Sequence, residues 1–257
     1  MDRNGPDPAG TAAESSLMEH LLELRTRLLR ALAGLVAVLL VLLPFANKLY
    51  GLLAQPLLDK LPAGAHLIAI EVASPFFAPL KLAFFTALVV TMPWLLYQAW
   101  AFVAPGLYQR EKRLALPLLA SAVILFYAGC AFAYFVLLPV MFKFLAVTKP
   151  EGVVMMPDIA RYLDFVAVIS LASGFSFEVP VALVILVLLG WVTPKQLAGA
   201  RGYAIIAIFF IAMIITPGDG LSMVMMALPM CLLYEAGIIA ARMVAPRPRD
   251  AADPAAR

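Results

Sequence analysis

Long apolar segments dominate this sequence and constrain its fold more than any other feature. A helix needs about 20 predominantly apolar residues to cross the hydrocarbon core of a bilayer. The chain has six such segments, of which the first opens with an amphipathic stretch and the fifth is clearly shorter than the others. They lie at about 17–46, 76–103, 114–142, 160–191, 203–215 and 221–240. The sequence therefore predicts an all-α polytopic membrane protein with six transmembrane helices.

The overall composition excludes most other protein classes. Hydrophobic residues make up 64% of the 257 residues and charged residues only 14%, whereas soluble domains carry about 25% charged residues. A mean hydropathy of +0.96 is too high for a soluble enzyme, a disordered chain or a disulfide-rich domain. Cys130 and Cys231 lie in apolar runs, and His20 and His66 are far apart, so no metal site or cofactor is expected. The basic residues lack aromatic neighbours of the kind that bind nucleic acid.

The distribution of basic residues predicts the orientation of the helices. If the N-terminus is cytoplasmic, most of the 19 Lys and Arg residues fall on the cytoplasmic side, as the positive-inside rule requires. Both termini are therefore predicted to be cytoplasmic. The polar ends of the chain, residues 1–16 and 241–257, are predicted to be disordered.

An amphipathic stretch leads into the first span. Ser16 and Glu19 have the spacing of a capping box, which predicts that a helix starts there. Glu23 and Arg27 stand four residues apart, so one interpretation is an ordinary ion pair along the helix, worth a few tenths of a kcal/mol.

One carboxyl group, that of Glu178, falls about midway along the fourth span. A charged residue at this depth costs several kcal/mol unless it is paired, neutralised or hydrated, so a functional role is the first hypothesis. The alternative is a protonated glutamic acid that hydrogen-bonds a neighbouring helix. Pro180, two residues later, predicts a bend in the same helix.

Several motifs in the chain are long and specific. They lie at 20–25, 73–77 with Lys81 and Pro93, 97–107, 111–113, 177–181, and 216–217 with Asp219 and Ser222. Taken together, these motifs resemble the TatC family of the twin-arginine protein translocase. Gly218 and Met223 depart from the proline and glutamine that are usual in the family. The resemblance covers about residues 17 to 240.

The resemblance implies a receptor in the bacterial inner membrane that binds Arg-Arg signal peptides of folded precursors. Glu23, Arg25, Phe102 and Glu111 would form the peptide site, because guanidinium groups pair bidentately with carboxylates. The receptor would assemble with TatB-type and TatA-type single-span subunits and with copies of itself, use the proton-motive force, and have no enzymatic activity.

The family fold implied by the resemblance is a curved, cup-like bundle. Glu178 would face its concave side, and the residues expected to contact a partner helix are Glu178, Thr216 and Asp219. Prolines at or near the spans predict bent helices. A structural role is predicted for four of them, Pro56, Pro93, Pro105 and Pro180.

Three alternative functions fit the sequence less well. A small-solute permease also suits six spans and one buried acid, but it predicts more polar residues at mid-membrane and a repeat between the two halves. A purely structural scaffold does not explain the acidic residues Glu23 and Glu111. An intramembrane enzyme requires a nucleophile with a base, and neither histidine is expected at membrane depth: His20 lies in the amphipathic stretch that leads into the first span, and His66 lies between the first and second segments.

Overall fold

The structure is a computed structural model, and it describes residues 8–51, 70–103, 112–148, 158–216 and 220–244. Within these ranges the chain is almost entirely helical and contains no β-strand. Among the described residues, five helical segments are long and apolar enough to cross a membrane, and a sixth is shorter: Met18–Gly51, Ser74–Val103, Ala115–Phe144, Ala160–Leu188, Gly220–Val244, and the short Arg201–Ile215. The predicted fold class and the short fifth span are confirmed.

The chain divides into two compact units, which are described separately. The first unit contains helix α1, Pro8–Leu42, which continues through a 3-10 turn at Leu43–Phe45. Helix α1 begins inside the segment predicted to be disordered, at a proline, which is favoured in the first helical turn. Ser16 therefore lies within the helix, and the helix start predicted there is wrong.

Helix α2, Ser74–Val103, supplies the rest of the first unit from residue 76 onward. It continues through Pro79 and Pro93, which cannot donate a backbone hydrogen bond to the preceding turn. Two residues before Pro93, the hydroxyl of Thr91 donates to the carbonyl of Ala87 over 2.6 Å. Despite the two prolines, the helix runs unbroken to its aromatic end at residues 97–103.

The second unit begins with a span that is interrupted by a π-helical turn. Helix α3, Lys112–Phe132, leads into the π turn Ala133–Leu137, and helix α4, Leu138–Thr148, follows directly. Pro139 stands just after the wider turn and lacks the N–H that a regular helix would use. A π turn in this place leaves room for the proline ring without ending the helix.

The fourth span is two helices rather than one. Helix α5, Ile159–Phe177, ends at Glu178, and helix α6, Val179–Leu188, starts immediately after it. The carboxylate of Asp158 caps α5 by accepting from the N–H of Arg161 over 3.3 Å, and it also accepts from the N–H of Ile70 over 3.3 Å. Asp158 thus joins the start of α5 to the segment that precedes α2.

Three further helices complete the second unit. Helix α7, Pro194–Gly199, is short and starts with a capping box formed by Thr193 and Gln196. Helix α8, Arg201–Ile215, has 15 residues and spans roughly 22 Å at 1.5 Å per residue. Helix α9, Gly220–Val244, has 25 residues and is long enough to cross a membrane.

Glycines allow close packing between helices in the second unit. A Cβ atom on Gly129 of α3 would lie 2.8 Å from the Cα atom of Gly174 in α5. A Cβ atom on Gly237 of α9 would lie 2.9 Å from the Cα atom of Pro180 in α6. Helices in lipid associate mainly through close van der Waals packing, for which small residues are needed. These glycines therefore bring the two halves of the broken span against α3 and α9.

Polar contacts join α8 to α9 at one end of the unit. Arg201 donates from Nε to Oε1 of Glu235 over 2.5 Å and from Nη2 to Oε2 over 2.8 Å. Next to this pair, the hydroxyl of Tyr234 donates to the carbonyl of Leu197 over 2.9 Å. The ion pair thus ties the start of α8 to the side of α9, and the tyrosine ties α7 to the same helix.

Candidate functional site

Two aromatic rings join the predicted peptide-site residue Phe102 to helix α1. The ring of Phe102, near the end of α2, stacks on the imidazole of His20 with centroids 4.3 Å apart and planes at 22°. His20 is three residues before Glu23 and therefore lies on nearly the same face of α1. The stack brings Phe102 and Glu23, which are far apart in the sequence, to the same end of the first unit.

The carboxylate of Glu23 is paired along its own helix. Arg27 donates from Nη2 and from Nε to the same oxygen, Oε1, over 2.9 and 3.2 Å. The two side chains are partly buried, with 34% of Glu23 and 23% of Arg27 exposed. The ion pair expected from the four-residue spacing is therefore present.

Arg25 does not share the face of α1 that carries Glu23. Two residues along an α-helix correspond to a rotation of about 200°, so the two side chains leave the helix on nearly opposite sides. Arg25 is exposed. The structure thus brings together His20, Glu23, Arg27 and Phe102, and it separates Arg25 from this group.

A second contact between α1 and α2 fixes how these helices align. The indole Nε1 of Trp94 donates to the carbonyl of Arg30 over 3.1 Å. Gly34 is one turn further along α1, and a Cβ atom there would lie 2.6 Å from the indole ring. Because the indole occupies the space beside a glycine, α1 and α2 cannot slide easily past each other. This alignment keeps His20 opposite Phe102.

Four predicted residues lie outside the described ranges. They are Glu111, Asp219, Pro56 and Pro105. Their predicted roles in the peptide site, in the partner contact and as structural prolines stay predictions.

Glu178 stands at the break between α5 and α6. Its backbone N–H donates to the carbonyl of Phe175 over 3.1 Å, and its carbonyl accepts from Ala182 over 2.9 Å. The side-chain Oε1 is buried and has no hydrogen-bond partner among the described residues. Pro180 follows as the second residue of α6, where its missing N–H costs least. The break therefore holds a carboxyl group in the middle of a span with unused hydrogen-bonding capacity.

Two side chains near this break bond to backbone carbonyls. The hydroxyl of Ser176 donates to the carbonyl of Ala172 over 2.6 Å, and the thiol of Cys130 in α3 lies 3.6 Å from the carbonyl of Ser170. The rings of Phe132 and Phe177 lie nearby, with centroids 5.7 Å apart. The buried Oε1 of Glu178, by contrast, has no hydrogen-bond partner among the described residues.

Thr216 ends helix α8 and is buried. Its hydroxyl donates to the carbonyl of Ala212 over 2.8 Å, within its own helix. The proton of this hydroxyl is therefore in use, and the oxygen can still accept a hydrogen bond.

The described residues contain no group of three or more His, Cys, Asp or Glu side chains that could hold a metal ion. The group in the first unit combines the carboxylate of Glu23, the guanidinium of Arg27 and the imidazole of His20, which stacks on the ring of Phe102. Such groups suit binding of a charged and apolar peptide.

Comparisons with known proteins agree on one family. The family model described as "Sec-independent protein translocase protein (TatC)" matches residues 19–229. The protein of that name from Halothiobacillus neapolitanus is 52% identical over 242 residues, covering 94% of this chain and 66% of its own length. The Escherichia coli K12 protein is 47% identical over 234 residues, covering 91% of each chain.

A solved structure has the same fold. The crystal structure of the twin-arginine translocase receptor TatC matches with a TM-score of 0.78 and 35% identity. The match covers 88% of this chain and 99% of the other.

Proposed function

Because this chain belongs to the TatC family of Sec-independent protein translocase proteins, we propose that it binds the Arg-Arg signal peptides of folded precursors. Proteins of this family are multi-pass components of the inner membrane. They work with other subunits of the translocase and are not enzymes. The resemblance, the fold and the transport role inferred from the sequence are thereby confirmed.

One observation carries the proposal of a peptide site. The ring of Phe102 stacks on His20, and this stack places Phe102 and Glu23 at the same end of the first unit. A twin-arginine peptide presents cationic guanidinium groups followed by an apolar stretch. A carboxylate beside an aromatic ring matches both features, since guanidinium prefers the two oxygens of a carboxylate.

Two arginines call for more than one carboxylate. Glu111, which follows the end of α2 in the sequence, is the second acceptor in this proposal. Arg25 leaves α1 on another side than Glu23, so it acts on a different part of the peptide. Lysine cannot replace arginine here with equal effect, because its ammonium group is a point charge without the planar fork of donors.

The peptide site is tested by photo-crosslinking of a signal peptide to the chain in membranes. A peptide with Arg-Arg should be captured more strongly than the same peptide with Lys-Lys, and Glu23→Gln should remove that difference. Glu71→Gln is the matched control, since Glu71 is exposed and lies before α2. Equal capture of both peptides by the unaltered chain would refute the proposed function.

A second part of the proposal concerns TatB-type and TatA-type subunits. We infer that their single helices dock beside the break at Glu178, where the buried Oε1 can accept or share a hydrogen bond. Thr216 offers one further acceptor, and Asp219 belongs to the same proposed contact. Polar bonds between helices in lipid are worth about 1 kcal/mol, so they position the partner more than they hold it.

This docking is tested by cysteine crosslinking between the chain and a single-span partner. Glu178→Ala should reduce crosslinking near the break, whereas Glu178→Gln, which keeps a hydrogen-bonding group, should preserve most of it. Undiminished crosslinking and normal export with Glu178→Ala would contradict this part of the proposal.

A further inference from the structure

The ion pair on Glu23 shows that the proposed peptide site already contains a guanidinium group. Arg27 places Nη2 and Nε on one oxygen of Glu23, at 2.9 and 3.2 Å. A bound signal peptide would present a group of the same chemistry to the same carboxylate. The two arginines would then compete for Glu23.

We propose that Arg27 is an internal stand-in for the signal-peptide arginine: it occupies Glu23 while no peptide is bound and gives up the carboxylate when a peptide arrives. This inference rests on the proposed function. Its physical basis is the cost of an unpaired, partly buried carboxylate, which Arg27 removes in the empty receptor. Exchange of one guanidinium for another also makes binding reversible, because the ion pair that the peptide forms with Glu23 replaces an ion pair of similar strength.

The position of Arg27 distinguishes it from the other arginines of α1. Arg27 follows Glu23 by four residues, the spacing at which side chains on a helix meet. The residues four positions before Arg25 and Arg30 are Leu21 and Thr26, which carry no negative charge. A general need for positive charge at the membrane surface would be met by any of these arginines, whereas occupancy of Glu23 requires Arg27.

The stand-in role predicts a gain of affinity upon removal of Arg27. With Arg27→Gln, a labelled Arg-Arg peptide no longer has to displace a partner from Glu23, so its binding to the full chain in lipid nanodiscs should tighten by about two- to fivefold. Arg30→Gln removes the same charge from an exposed position and should leave the affinity unchanged. Arg27→Lys keeps the charge but not the fork of donors, so it should give a smaller gain in peptide affinity. If Arg27→Gln does not fold, the affinity of Arg27→Lys tests the stand-in role in its place.

A double variant tests whether the gain passes through Glu23. In a Glu23→Gln background, Arg27→Gln should produce no gain at all. Unchanged or weaker binding by both Arg27 variants would overturn the inference and assign the ion pair to helix stability alone. An equal gain with Arg30→Gln would overturn it as a nonspecific charge effect. Failure of the proposed function itself looks different: the unaltered chain would then bind Arg-Arg and Lys-Lys peptides equally.

Discussion

The close contact between α3 and α5 allows a quantitative prediction for Gly129→Ala. The added Cβ atom would lie 2.7 Å from the carbonyl oxygen of Ser173 and 2.8 Å from the Cα atom of Gly174. Both are backbone atoms, so no side-chain rotation can relieve the overlap. Overpacking of this kind costs about 1–3 kcal/mol, while alanine regains about 1 kcal/mol of helix propensity. The expected net loss of unfolding free energy is therefore up to about 2 kcal/mol.

Thermal unfolding followed by circular dichroism in detergent measures this loss. For a chain of this size, a loss of up to about 2 kcal/mol corresponds to a midpoint lower by up to about 8 °C. Gly202→Ala is the matched control, because a Cβ atom at Gly202 meets no atom within 4 Å. Its midpoint should equal or slightly exceed that of the unaltered chain, because alanine regains helix propensity there without an overlap. A midpoint for Gly129→Ala equal to or above that of Gly202→Ala would refute the packing argument.

Three further predictions concern other contacts. His20→Ala should weaken peptide crosslinking because Phe102 loses its stacking partner, whereas His20→Phe should retain it; equal loss in both would argue against stacking. Asp158→Ala should lower the free energy of unfolding by about 1 kcal/mol through loss of the helix cap, as measured by thermal unfolding, and Asp158→Asn should recover most of it. Arg201→Glu should speed amide hydrogen exchange in α8, and adding Glu235→Arg should restore protection; no restoration would exclude the ion pair as the cause.

Most of the helices are predictable from the sequence because lipid imposes a simple rule on length and charge. A charge-free apolar segment of sufficient length has few alternatives to a spanning helix. The break in the fourth span is only partly predictable. Pro180 indicates a bend, but the helix is interrupted at Glu178, because proline is accepted as the second residue of the new helix α6.

Two local features show where spacing helps and where it misleads. The short helix α7 is too short to be recognised as an apolar span, but its start has a signal in the sequence. Thr193 and Gln196 have capping-box spacing, with a proline between them. Ser16 and Glu19 have the same spacing but lie inside the longer helix α1, which is why the helix start predicted there is wrong.

In the proposed peptide site, one contact is predictable from the sequence and another is not. The pairing of Glu23 with Arg27 follows from helix geometry and is predictable as a local ion pair. The stack of His20 on Phe102 depends on how α1 and α2 align, which Trp94 and Gly34 determine through tertiary contacts. Sequence spacing alone carries no signal for a contact of this kind, although the three-residue step from His20 to Glu23 marks His20 as a neighbour of the site.

Export of a folded reporter tests the central claim most directly. The chain is produced in cells that lack their own TatC-family protein, and the reporter carries either an Arg-Arg or a Lys-Lys signal peptide. The account predicts export of the Arg-Arg reporter, little export of the Lys-Lys reporter, and loss of export with Glu23→Gln at unchanged abundance of the chain. Export of both reporters to the same extent, or full export with Glu23→Gln, would contradict it.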